Sequence, residues 1–393
     1  MSLRTTYGWR RALGTCVCSV GAIAGLAAAT SAQQVPIDTT AVPMAASDSL
    51  SVVRVCAGGD VTLGTNLDTT WTRRAAGARG VARVRALPPP ASLLAPLEPL
   101  LEDADFVLLN VEGAIGNGPV SRQKCRPGST MCYAFRQPSE AAAALAGVAP
   151  NASVVGNVAN NHARDAGWDG LAETRRLLEA ARVAVTGMDT IPTPVANARG
   201  DTVAFLGYST SGGPDPRVLD AVRRHVARAS ERWPRVVVTM HMGAEGISAQ
   251  RTPDSTEMFI GIDRGNMVAF ARAAAESGAG LVVGHGPHVM RGAEWWGETL
   301  IAYSLGNLVT YGPFSMGEPL NRGGLLCADL DSGGRVTQAT LRSTRQRSAG
   351  LVEPDATARA AILADSLSAL DFPETGARFR TETRILKPLA PAP

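Results

Sequence analysis

Short apolar runs recur through this chain, and several end at once in a cluster of polar, ligand-type residues. The runs are 51–57, 106–109, 153–155, 183–185, 202–208, 236–240 and 281–283. Their length and β-branched content predict strands. Helical periodicity fills several of the gaps. Gly170–Ala181 sets Leu171, Thr174, Leu177, Leu178 and Ala181 on one face, and Asn266–Ser277 does the same with Met267, Phe270, Ala271 and Ala274 before Gly278 stops it. Strands alternating with amphipathic helices predict an α/β fold. After Arg291 the helical signal fades, and 292–296, 299–304, 323–331 and 336–341 read as successive strands of an antiparallel sheet. Residues 357–370 read as one further helix, followed by a proline-rich tail.

The head has a different character. Residues 1–32 carry Arg4, Arg10 and Arg11, no acid, and a small-residue apolar run from Ala12 to Ala29. This predicts a signal peptide cleaved near Ala32, with an uncleaved anchor as the alternative. Residues 33–50, with Pro36 and Pro43, read as a linker. The whole chain has 38 basic and 35 acidic side chains, and the head accounts for the excess. The mature chain is formally neutral, so no general basic field favours nucleic acid as a partner. The expected location is outside the cytoplasm: the periplasm, the cell exterior, or the outer face of the cytoplasmic membrane. In such an oxidising compartment Cys125 and Cys132, which bracket a turn-rich loop, are candidates for a local disulfide. Cys56 and Cys327 sit in apolar runs and read as small buried hydrophobes.

Chemistry gathers where the runs end. Asp60 closes the first, Glu112 follows the second, and Asn160-Asn161-His162 follows the third. His241 and Glu245 come after 236–240, and His285 and His288 come after 281–283. Ligands in α/β sheets bind beyond the carboxyl ends of strands. Neutral imidazole, carboxylate and side-chain amide together suit Zn, Mn or Fe(II), and no Cys-x-x-Cys offers a thiolate site. Each cluster alone has an ordinary reading as a cap or a turn; their conjunction does not. His225, among Arg223, Arg224 and Arg228, reads as solvated surface. Arg73, Arg74, Arg79, Arg83 and Arg85 read as a solvated loop, with contact to a polyanion as the alternative. No nucleophile elbow, phosphate-binding loop or dinucleotide fingerprint is present.

In composition and order, six motifs resemble those of the bacterial CapA family of poly-γ-glutamate capsule synthesis. They are Gly58-Gly59-Asp60-Val61-Thr62, Asn110-Val111-Glu112, Asn160-Asn161-His162-Ala163-x-Asp165-x-Gly167, His241-x-Gly243-x-Glu245, Gly284-His285-x-Pro287-His288 and Tyr303-Ser304-Leu305-Gly306-Asn307. The resemblance covers residues 51–345, leaving 346–393 as a C-terminal helix and tail. That family is similar to the calcineurin-like metallophosphoesterases. The resemblance therefore implies a four-layer αββα sandwich of metallophosphoesterase type with two divalent ions at the sheet edges. Carried over residue by residue, it implies one ion on Asp60 and His288, a second on Asn161, His241 and His285, and Glu112 bridging. His162 would protonate a leaving oxygen, Asp165 and Glu245 would orient imidazoles, and Asn160, Ser304 and Asn307 would line the substrate cavity. Two positions depart from the phosphoesterase pattern. Thr62 stands where those enzymes place a histidine ligand, and Glu112 where they place an aspartate, so a mononuclear site stays open.

The implied function is extracytoplasmic participation in poly-γ-glutamate synthesis or export, with the anionic polymer and a membrane-bound synthase complex as partners. Two other functions fit the same residues. One is a general metal-dependent phosphomonoesterase or phosphodiesterase acting on a phosphate-ester substrate. The other is a non-catalytic, metal-stabilised polymer-binding module.

Overall fold

Alternation of side chains along each apolar run decides which layer of the molecule it fills. A computed structural model gives the fold, and it describes residues 51–64, 88–118, 120–121, 124, 132–312, 315–379 and 384–387. The head and linker, the arginines from Arg73 to Arg85, Cys125, and the tail beyond 387 lie outside the described residues.

Strands β1 (Val53–Thr62), β2 (Phe106–Val111), β3 (Ser153–Asn157) and β4 (Ala184–Thr186) run parallel, side by side, in a ten-stranded sheet. A second, six-stranded sheet holds β5 (Thr193–Ala196), β6 (Thr202–Ser209), β7 (Val236–His241) and β8 (Leu281–His285). In β2, Phe106 and Leu108 face the middle of the molecule while Val107, Leu109 and Val111 face outward. In β8, Leu281 and Val283 face the middle and Val282 faces outward. The middle layer is thus sheet against sheet, each fully buried valine or leucine contributing about 1.5–3 kcal/mol.

Helices cover both outer faces. α1 (Pro90–Leu94), α2 (Ala141–Ala146) and α3 (Gly167–Ala180) pack on the first sheet through Leu93, Leu94, Leu145, Leu171 and Leu178. α4 (Leu219–Arg232) and α5 (Met267–Glu276) pack on the second through Val222, Val226, Phe270 and Ala271. Asn266 caps α5 by accepting from Ala269 N at 2.9 Å. The result is the four-layer αββα sandwich that the motifs imply. Among the described residues no helix is long and apolar enough to cross a membrane.

The strands after Arg291 correct the expectation of one antiparallel sheet. β9 (Ala293–Trp296) and β10 (Thr299–Ala302) form a hairpin that joins the second sheet, β10 lying parallel to β8. β11 (Asn307–Thr310), which the sequence reading does not separate from the preceding motif, pairs with the end of β1. β12 (Arg322–Leu330) and β13 (Val336–Arg347) extend the first sheet antiparallel to β1. Both groups put apolar residues into the same middle layer from opposite sides, Trp295 and Leu300 facing Leu326 and Leu341. Period-two patterning reports the buried face of a strand and carries no information on which sheet it joins. α6 (Arg359–Asp371) also packs into the middle layer, through Ala360, Ala361 and Ala364.

Cys56 and Cys327 form a disulfide, correcting their reading as unlinked hydrophobes. They stand directly opposite each other on the neighbouring strands β1 and β12, 271 residues apart in sequence.

Gly59 is fixed by packing: a Cβ there would lie 2.1 Å from the Gly306 carbonyl, against which the next residue's amide is bonded at 3.0 Å. Gly59→Ala must push β1 away from the turn before β11, an overpacking cost of about 1–3 kcal/mol. The expected result is a lower denaturant midpoint, and an unchanged midpoint would refute this account of the strand crossing.

Candidate metal centre

The carboxyl ends of the parallel strands arrive in two level rows. In the first sheet the register aligns Asp60 with Asn110 and Asn110 with Asn157. In the second it aligns Ser209 with His241 and His241 with His285. β1 bulges between Asp60 and Val61, where its partner register shifts, and continues to Thr62. His288 follows β8 with φ 58°, a left-handed conformation that costs a non-glycine residue about 1–2 kcal/mol, next to Gly286 at φ 107°.

The rows meet through their side chains. Asp60 Oδ2 lies 2.9 Å from His288 Nδ1, and Asp60 Oδ1 lies 3.8 Å from His285 Nδ1. Glu112 Oε1 lies 3.6 Å from His288 Nε2 and 3.8 Å from His241 Nε2. One ligand atom each from Asp60, Glu112 and His288 falls within 4.8 Å of the others, a group that could hold a metal ion. Glu245 Oε2 stands 3.9 Å from His288 Nε2, its other oxygen paired to Arg264 at 2.7 Å. Asn307 Oδ1 contacts His288 Nδ1 at 3.0 Å, and Ser304 uses its hydroxyl to accept from Gly306 N at 3.3 Å. Among the described residues Ser304 makes no hydrogen bond to the cluster, and its hydroxyl serves the turn before β11.

Asn110 joins the two rows, and the sequence reading passed over it. Its Nδ2 donates to Asp60 Oδ1 at 2.7 Å and lies 3.2 Å from His241 Nδ1. Its Oδ1 accepts from Asn157 at 3.0 Å and from Asn160 at 3.3 Å. The signal was present, since Asn110 opens the very motif from which only Glu112 was taken. Thr62 also acquires a role: it donates to the Glu112 carbonyl at 2.7 Å, anchoring the carboxylate's backbone.

Asn160, Asn161 and His162 form the turn after β3. Asn160 Nδ2 donates to Val111 O at 2.9 Å, and its Oδ1 accepts from His162 N at 3.0 Å. His162 Nδ1 lies 2.6 Å from Asp165 Oδ2, which also accepts from Phe135 N at 2.7 Å. The Phe135 ring packs against the imidazole with centroids 4.2 Å apart.

Burial and charge act together here. Burial works to raise the Asp60 pKa, but the charge and hydrogen bond of His288, with the His241 and His285 imidazoles adding to them, outweigh it and hold the group below the usual carboxylate range. Burial pushes Glu112 well up, with Asp60 and Glu245 adding to the effect. His241 is lowered by burial, and His285 is lowered to about 4 for the same reason, so both keep free lone pairs at neutral pH. His288 goes the other way: although burial opposes it, Glu112, Asp60 and Glu245 raise it well above the usual histidine value. The carboxylates therefore draw positive charge to the point where they meet.

The donor set fits a divalent cation. Glu112 Oε1, Asn161 Oδ1, His241 Nε2 and both His285 ring nitrogens are buried without hydrogen-bond partners. Orphaned buried donors and acceptors are costly unless something satisfies them, and these are oxygen and imidazole ligands of the kind that hold Zn or Mn.

A four-layer αββα sandwich with a carboxylate–imidazole–amide centre at its strand ends defines the class. The family model for "Bacterial capsule synthesis protein PGA_cap" matches residues 54–311, and the chain belongs to that family. The PGA biosynthesis protein CapA of Bacillus subtilis is 27% identical over 230 residues, covering 54% of this chain and 55% of that protein. The capsule biosynthesis protein CapA of Bacillus anthracis is 27% identical over 173 residues, covering 39% of each. The chain thus spans about half, or less, of the length of these relatives. Among solved structures, a hypothetical protein from Thermus thermophilus aligns with TM-score 0.42 and 16% identity, over 75% of this chain and all of that one.

Proposed function

We propose that this protein acts outside the cytoplasm in making or exporting an anionic poly-γ-glutamate capsule polymer, through a divalent-metal centre of phosphoesterase type. The observation that carries the reading is the meeting of Asp60, Glu112, His241, His285 and His288 in one buried cluster, within the segment matched by the capsule family. Asp60 and His288 would hold one cation, Asn161, His241 and His285 a second, with Glu112 between. Such cations polarise a phosphoryl oxygen and lower the pKa of water.

The chain's own residues supply the rest. Asp165 holds His162 Nδ1, which leaves Nε2 as the atom that gives or takes a proton at the substrate. Asn110 and Thr62 hold the carboxylates in place from behind. Export by the N-terminal segment and contact with a membrane-bound synthase complex belong to the same proposal. The Cys56–Cys327 disulfide supports an oxidising compartment.

The test is elemental mass spectrometry on the purified full chain, together with turnover of a chromogenic phosphate ester in the presence of Mn or Zn. His241→Ala and His288→Ala are expected to lose metal. His162→Ala is expected to keep it and lose about 10²–10⁴-fold in turnover. Metal without turnover in the wild type would move the reading to a polymer-binding module, and no metal after loading would sink the centre altogether.

A further inference from the structure

Of the 38 basic side chains only Lys124 and Lys387 are lysines, and one of them stands behind the candidate proton donor. Lys124 Nζ lies 2.7 Å from Asp165 Oδ1 and donates to the Asn161 carbonyl at 2.7 Å. Asp165 is fully buried, whereas the Lys124 side chain is a quarter exposed. The carboxylate therefore has a partner at each oxygen: the Lys124 ammonium as an ion pair at Oδ1, and the His162 imidazole and the Phe135 amide at Oδ2. Its backbone carbonyl accepts from Ser121 N at 2.7 Å. Ser121, Lys124 and Phe135 thus hold the turn 160–165 from outside.

We propose that Lys124 is a positioning residue: its ammonium clasps Asp165 to the Asn161 backbone, fixing together the carboxylate that holds the His162 ring and the turn that presents Asn161. An arginine-rich chain has a reason to use lysine here. A compact ammonium donates to the Asn161 carbonyl while setting its charge beside Asp165 Oδ1, whereas a guanidinium offers its donors in one rigid plane. Without the cation, Asp165 Oδ1 would lose its buried ion pair, leaving the Phe135 amide alone to hold the carboxylate against His162.

The inference rests on the proposed centre, and its test is arranged to fail separately from it. With only five histidines, ¹⁵N-histidine labelling of the full chain gives a resolvable spectrum. The His162 Nδ1 proton, bonded to Asp165, is expected to exchange slowly with water in the wild type. In Lys124→Met exchange should quicken about tenfold or more, with an intermediate rate in Lys124→Arg. Zn²⁺ affinity, titrated calorimetrically, should weaken in parallel, while Lys387→Met changes neither quantity. Wild-type exchange in a Lys124→Met protein with an unaltered thermal melt would overturn the proposal, whether or not the wild type binds Zn²⁺. Should Lys124→Met not fold, wild-type exchange in Lys124→Arg overturns it equally. A wild type that binds no Zn²⁺ yet shows the exchange difference would overturn the metal centre and keep the clasp.

Discussion

Asp60→Asn is expected to leave a folded protein that no longer holds a divalent cation. The substitution keeps size and shape, so the strand crossing at β1 survives. It removes the negative charge that three imidazoles face at once. It also sets an amide against the Asn110 Nδ2 that now donates at 2.7 Å, or against His288 at 2.9 Å. Loss of at least about a hundredfold in Mn or Zn affinity is expected, the upper end of what even outer-sphere partners cost. The pH dependence in the wild type follows from the same group of charges. His288 is raised well above its ordinary value, so it retains a proton at neutral pH that it must release when a cation is taken up. His285, lowered to about 4, has no such proton to lose. Affinity should therefore rise with pH until the raised His288 and Glu112 groups have lost their protons, with protons released on binding below that point. Calorimetry in two buffers of different ionisation enthalpy reads that release; equal apparent enthalpies in both would contradict the raised His288 and Glu112.

Arg291→Met is expected to be the most damaging single change away from the ligands. Arg291 is essentially unexposed, and its guanidinium pairs with both oxygens of buried Glu257 at 2.7 and 2.8 Å. Its Nε donates to Ala249 O at 2.7 Å, and Glu257 in turn accepts from Ala244 N at 3.1 Å. This pair fastens the loop carrying Glu245 to the strand connection three residues past His288. Removing one partner of a buried pair leaves the other uncompensated, at a cost of about 3–5 kcal/mol. The double variant Arg291→Met with Glu257→Met should recover most of that, because two apolar side chains of similar volume need no partners. Guanidinium unfolding of the three proteins decides the matter: a single variant as stable as the wild type would falsify the claim that the pair is needed.

The fold class and most of the residues that meet at the candidate centre were legible because they are local properties. A strand followed by Asp, or by His-Gly-Pro-His, carries its own evidence in a few consecutive residues. What was not legible depends on pairing between distant segments. Nothing in the sequence near Cys56 indicates that it stands opposite Cys327, and nothing near Thr299 indicates that it joins β8 rather than β12. Asn110 was missed for a related reason: a buried asparagine is informative only when its neighbours in space are known to be Asp60 and His241. Nothing in the sequence around Lys124 marks it, and only its contacts with Asp165 and Asn161 give it a role.

The disulfide has a topological consequence for the centre it flanks. Every candidate ligand from Asp60 to His288, together with Lys124 and Asn307, lies in sequence between Cys56 and Cys327. A protease that cuts one exposed loop within this span produces a nicked protein whose two pieces remain one covalent molecule. The disulfide holds the strands that carry Cys56 and Cys327 side by side in the first sheet whichever loop is cut. The two pieces separate only once the bond between β1 and β12 is reduced as well.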